Sequence, residues 1–181
     1  MAEKKYRVVH YLNQFYAGIG GEEKANIPPQ MKEGIVGPGK PLQDALGEEG
    51  EIVATMICGD SYFAENIEAV AASVVESLSP YKPDVFVAGP AFNAGRYGIA
   101  CGAACSAVSK TLGIPVVTAM YEENPALELY RKEIYAIPTA KSAVGMAEAI
   151  SKMAGFVRKL GFGQEIGLPE EEGYFPRGCL L

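Results

Sequence analysis

The 181-residue sequence holds one histidine, His10, and four cysteines, Cys58, Cys101, Cys105 and Cys179. The cysteines show no CxxC and no paired spacing of zinc ligands, so no metal site is expected. No Ser–His or Cys–His arrangement offers an activated nucleophile. The Rossmann GxGxxG and the Gly-Lys-Ser/Thr of a phosphate-binding loop are both missing, as is the hydroxyl-rich loop of a flavodoxin. No apolar run approaches the roughly 20 residues of a membrane span. Basic residues are outnumbered, 16 against 22 acidic ones, for a net charge of −6. An acidic chain without a basic block argues against nucleic acid and against an anionic membrane as partners. The opening MAEKKYRVV has no signal-peptide core, and the closing Gly178-Cys179-Leu180-Leu181 is no prenylation box. A cytoplasmic location is the expectation.

A hydrophobic share of 49% and a charged share of 21% are ordinary for an α/β protein with a real core. The organising stretch is residues 83–113. It opens on the apolar run Val85-Phe86-Val87-Ala88, suited to a strand buried on both faces. It closes on a small-residue helix over 97–112, stopped by Gly113. Further strands are expected at 6–12, 51–58, 114–120 and 133–137. Helices are expected after residue 60 to 78, from 125 to 132, and over 140–160, each with apolar residues three or four apart or a capping signal. This alternation predicts a three-layer α/β sandwich of flavodoxin or Rossmann-like type. Its sheet has five parallel strands in the order 2-1-3-4-5. One domain over 1–160 is expected, interrupted at 25–50 by a Pro- and Gly-rich irregular insertion. Residues 161–181 have no period and read as an extended tail toward another surface. Insertion and tail are expected to pack on a neighbouring chain or to remain mobile.

In that topology the exits of the first and third strands meet at one crevice. The polar residues gathered there are Asn13, Gly20, Gly21, Glu22, Asp60, Asn93, Arg96, Tyr121, Glu122 and Glu123. Arg96 can grip a carboxylate in bidentate fashion, or pair with a neighbouring loop glutamate. Glu122 or Glu123 can face an ammonium group, so a small zwitterion suits the set. Gly20 and Gly21 either present backbone amides to an anion or serve as a flexible linker. Asp60 either caps a helix or touches a ligand. Cys101 and Cys105, four apart on the helix, read as buried core residues, with a redox pair as the alternative.

Several long motifs carry a resemblance. HYLNQFYAGIGGEEKA, ICGDSYFAEN, AGPAFNAGRYGIACG, MYEENP and PEEEGYFPRG resemble the selenoprotein B subunit of glycine/sarcosine/betaine reductases, to which D-proline reductase is related. The resemblance implies reductive C–N cleavage of glycine, sarcosine or betaine in a complex that feeds acetyl phosphate formation. A selenolate attacks the substrate's α-carbon, and the carboxymethyl group passes to selenoprotein A. It implies a second component B subunit as partner, and a homo- or hetero-oligomer. The family's selenocysteine lies downstream of the matched region and has no counterpart here, so no catalytic nucleophile and no cofactor are assigned to this chain. The chain looks like the amino-terminal part of that subunit, inactive alone but contributing part of the substrate site. The alternatives are a non-catalytic small-molecule-binding or assembly domain, and a flavodoxin-like cofactor carrier.

Overall fold

The computed structural model describes residues 4–178. The strands are β1 (Tyr6–Asn13), β2 (Gln30–Glu33), β3 (Gly50–Cys58), β4 (Val85–Phe92), β5 (Val116–Met120) and β6 (Tyr135–Pro138). The helices are α1 (Gly39–Leu46), α2 (Asp60–Glu65), α3 (Ile67–Leu78), α4 (Gly95–Leu112), α5 (Ala126–Tyr130), α6 (Met146–Gly161) and α7 (Pro169–Glu172).

The strands form one sheet in the order β2-β3-β1-β4-β5-β6. The expectation of five parallel strands is corrected to six strands in a mixed sheet. The five central and distal strands are parallel and keep the relative order expected of them, while β2 pairs antiparallel with β3 at one edge. This extra strand comes from the supposedly irregular insertion. Its ladder runs from Gln30 opposite Ile57 to Glu33 opposite Ala54, and Gly34 adds a bond to the Val53 carbonyl at 2.9 Å. The partner strand supplies the hydrogen bonds, so β2 needs no apolar alternation of its own.

Alternation along the strands divides the core between the two faces. Val9, Tyr11, Met56, Phe86 and Ala88 meet the layer of α2 to α5. Val8, Ile52, Val85, Val87 and Val117 meet α1 and α6. Leu42 and Leu46 of α1, also from the insertion, are fully buried in that second cluster.

Three further expectations change. The helix foreseen up to residue 78 is two helices, broken at Asn66 (φ −140°, ψ 42°). Residues 161–178 are not an extended tail: they include α7 and fold back onto their own chain. The Phe175 amide donates to the Ala136 carbonyl at 2.8 Å, covering the edge strand β6. Tyr174 packs edge-on against Tyr135 and Phe156, with ring centroids 5.0 and 5.6 Å away. Insertion and tail, through residue 178, thus pack on this chain. Among the described residues no helix is long and apolar enough to cross a membrane.

Candidate functional site

The carboxyl ends of β1, β3 and β4 bring three loops together, where ligands bind in open α/β sheets. Asn13 closes β1, and its side chain does two things. Its amide nitrogen donates to Asp60 Oδ2 at 3.0 Å, and its oxygen accepts from the Tyr16 amide at 2.9 Å. Gln14 beside it is 2% exposed and accepts from the Asp60 main-chain amide at 3.0 Å.

Asp60 opens α2 but does not cap it; no side chain does. The Ala25 carbonyl takes that role, accepting from the amides of Ser61 at 2.8 Å and Tyr62 at 3.0 Å. Segment 25–27 reaches this position because residue 59 is glycine; a Cβ there would lie 2.2 Å from the Ala25 carbonyl oxygen. The Asp60 carboxylate is thereby released toward the site. It is 8% exposed, and burial pushes its pKa above the usual carboxylate range despite the bond from Asn13 and the nearby Arg96 charge.

Arg96 lies in the first turn of α4. Its Nη2 binds both carboxylate oxygens of Glu22, at 2.7 and 2.6 Å, while Nη1 donates to Ser61 Oγ. The Arg96 side chain is 44% exposed and that of Glu22 73%, so this pair sits in water and can exchange partners. Of the two roles open to Arg96, the loop salt bridge is the one present.

The backbone before Arg96 is bent. Gly89 has φ +89° and Phe92 has φ +51°, a left-handed conformation that an aromatic residue rarely adopts. Asn124, 2% exposed, holds it by donating to the carbonyls of Phe92 at 3.0 Å and Ala94 at 3.1 Å. Its oxygen accepts from the Ala126 amide at 3.0 Å, and the Tyr121 amide adds a bond to Phe92 O at 2.8 Å. Gly98 makes room for Asn124: a Cβ there would lie 2.3 Å from the Asn124 oxygen.

Two hydrogen-bonded sets, Asn13–Gln14–Asp60 and Glu22–Arg96–Ser61, meet at the adjacent residues Asp60 and Ser61 and make up the network. Asn93 lies on the Arg96 loop, half-buried, without a hydrogen-bond partner among the described residues. Tyr121, Glu122 and Glu123 occupy the neighbouring loop after β5, where the two glutamates are exposed and outside the network. Gly20 and Gly21 do not present free amides. Gly20 donates to the Gln14 carbonyl at 3.3 Å and Gly21 to Glu23 Oε1 at 3.0 Å. Gln14 is not among the residues expected from the sequence, although its position beside Asn13 at the end of β1 is a usable signal.

The described thiols are poor nucleophiles. Cys58, Cys101 and Cys105 are buried and free. Burial, with the Asp60 charge nearby, pushes Cys58 up to about 12, and burial likewise raises Cys101 and Cys105. No group of three metal-ligating side chains occurs among the described residues. A cavity of about 660 Å3 opens at the opposite end of the sheet, beside Tyr6, Glu49, Asp84 and Phe162. It contains none of the site residues and lies at the amino ends of the strands, so topology favours the network over the cavity.

Comparison of the sequence with known proteins places the chain in a family. Residues 5–180 match glycine/sarcosine/betaine reductase selenoprotein B. The chain is 59% identical to the glycine reductase complex component B subunit gamma of Carboxydothermus hydrogenoformans, covering 96% of this chain and 40% of that one. It is 55% identical to the sarcosine reductase complex component B subunit beta of Peptoclostridium acidaminophilum, covering 97% and 40%. Identity to the betaine reductase complex component B subunit beta of that organism is 39%, covering 95% and 39%. The chain therefore spans about 40% of the length of these relatives. No solved structure matches it. The chain belongs to the glycine/sarcosine/betaine reductase selenoprotein B family.

Proposed function

We propose that this chain supplies part of the substrate site of a reductase component that cleaves the C–N bond of glycine, sarcosine or betaine. The observation that carries the reading is the convergence of Asn13, Asp60, Glu22 and Arg96 at the carboxyl ends of β1, β3 and β4. A substrate carboxylate exchanges with the Glu22 carboxylate on Arg96, the one guanidinium of the network. Such an exchange replaces only a water-exposed contact, in which Glu22 engages a single guanidinium nitrogen. The acidic side chains around it, Asp60, Glu22, Glu122 and Glu123, favour the ammonium end. Asn93 and the Gly20–Gly21 turn complete the rim.

The nucleophile comes from outside the described residues. Displacing an amine from carbon needs a deprotonated, exposed nucleophile, and the described thiols are buried and held protonated. The partners in this reading are a second component B subunit and selenoprotein A, and substrate chemistry begins only in the assembled complex. The test is paired. The isolated chain, with a dithiol reductant, is expected to release no amine from glycine, sarcosine or betaine. NMR titration with the same compounds is expected to show weak saturable binding that Arg96→Ala abolishes. Turnover by the isolated chain would overturn the reading; binding unaffected by Arg96→Ala would remove that residue from the site.

A further inference from the structure

Behind Asn13 the interior holds polar groups that the chain itself does not satisfy. Five aromatic rings run in contact from the surface inward. Phe15 and Tyr16 lie 5.1 Å apart, Tyr16 and Tyr97 5.7 Å, Tyr97 and Tyr11 6.3 Å, and Tyr11 and Phe63 5.9 Å, centroid to centroid. Phe15 is exposed, Tyr16 half-buried, and the other three rings are buried. The hydroxyls of Tyr11 and Tyr97 and the Oδ1 of Asp60 are buried and have no hydrogen-bond partner among the described residues. Buried polar atoms are ordinarily paired, so three orphans around one ring sequence call for a reason. They are also held in place. Asn13 fixes the other Asp60 oxygen and, through the Tyr16 amide, the outer ring that stacks on Tyr97.

We infer that Asp60, Tyr11 and Tyr97 form the seat of a compact ammonium group, with Asp60 Oδ1 as counter-charge, the phenol oxygens as acceptors and the ring faces as walls. The chemistry of the groups selects the ligand. A carboxylate, two phenol oxygens and aromatic faces all favour a cation with N–H donors, or an alkylated one. The nearest cation among the described residues, Arg96, hydrogen-bonds Glu22 and Ser61 and reaches Asp60 by its charge alone. One carboxylate suits a monocation better than a divalent metal, which takes several charged oxygens. Burial is the main cause that raises both phenols, and the Asp60 charge adds to it at each, so the three groups share one interior. The inference rests on the substrate reading above and assigns the ammonium end to Asp60 rather than to the exposed Glu122 and Glu123.

The test titrates the 181-residue chain with ammonium chloride and methylammonium chloride against matched potassium chloride, following Tyr and Asp side-chain NMR signals. Saturable shifts are expected with both ammonium salts. Affinity should fall about tenfold or more in Asp60→Asn and in Tyr97→Phe, the loss expected for one charge-assisted bond. Tyr11→Phe and Tyr97→Phe should keep or raise the Tm, because each deletes a hydroxyl that makes no bond, and this separates ligand loss from misfolding. No saturable response, a response equalled by potassium chloride, or binding unchanged in both Asp60→Asn and Tyr97→Phe would overturn the seat. Sodium acetate reports the carboxylate end independently. Acetate binding that requires Arg96, without any ammonium response, sinks the seat and leaves the substrate reading standing. Absence of both responses sinks both.

Discussion

Glu22 holds Arg96 by both carboxylate oxygens, at 2.7 and 2.6 Å, across 74 residues of sequence. The contact joins the loop after β1 to the start of α4, yet both side chains remain largely in water. Pairs of this kind contribute about 1 kcal/mol or less. Glu22→Ala should therefore leave the urea unfolding midpoint nearly unchanged. Acetate affinity should rise, because the guanidinium no longer has an internal carboxylate to release. A fall in acetate affinity would show that Glu22 assists the ligand instead of competing with it.

Asn124 is the opposite case. It is buried and spends both ends of its amide on the main chain around Phe92 and Ala126. Asn124→Ala leaves buried carbonyls without donors and releases the left-handed Phe92. A loss of about 2–4 kcal/mol is expected from chemical denaturation. Gly98→Ala should be damaging by the same route, because its Cβ would meet the Asn124 amide at 2.3 Å.

His10 gives the fold an acid sensitivity. Its ring is fully buried, with Nε2 bonded to the Gly89 carbonyl at 2.8 Å and Nδ1 unpartnered. Burial lowers its pKa to about 4, with the Gly89 carbonyl opposing the shift. The unfolded chain therefore binds the proton first. The stability is full above about pH 6.5 and is lost as pH falls toward 4, by on the order of 3 kcal/mol. Urea unfolding at a series of pH values should show this slope, and its subtraction from His10→Gln should isolate it from the carboxylates. Equal slopes in both proteins would refute the assignment.

The thiols offer a direct check on the buried core. In a Cys179→Ser background, Cys58, Cys101 and Cys105 should react with a colorimetric disulfide reagent only at the rate of unfolding. Rapid native labelling of any of them would place that residue in an accessible, reactive setting. Cys179 itself lies outside the described residues.

Gly59→Ala tests how the insertion is attached. Its Cβ would fall 2.2 Å from the Ala25 carbonyl oxygen, a main-chain atom that cannot move without leaving the α2 amides. The variant should lose about 1–3 kcal/mol, as for forced overpacking. Faster hydrogen exchange at Ser61 and Tyr62 should accompany the loss. Wild-type protection of those amides in the variant would contradict this attachment through the Ala25 carbonyl.

The parallel strands were legible because each carries its own signal. Continuous apolar runs at β3, β4 and β5, punctuated by Gly and Pro and alternating with helical periods, specify a parallel sheet and its exits. Asn13, Asp60 and Arg96 could be placed at one end for the same reason. The long motifs around them pointed to the family that the comparison found. What local spacing does not encode is which distant main-chain group answers which other. Strand β2 exists because β3 offers it a ladder, and α2 is capped by a carbonyl 36 and 37 residues upstream of the amides it accepts, from Ala25 to Ser61 and Tyr62. That distant cap freed Asp60 from the role its sequence position suggested, and Asn13 and Gln14 then fixed it. Residues 161–178 likewise lack a period because their apolar contacts are with the β6 edge and the Tyr135 and Phe156 rings. Strand order and loop placement follow from short-range pattern and handedness; the partners of individual polar groups follow only once the chain has closed on itself.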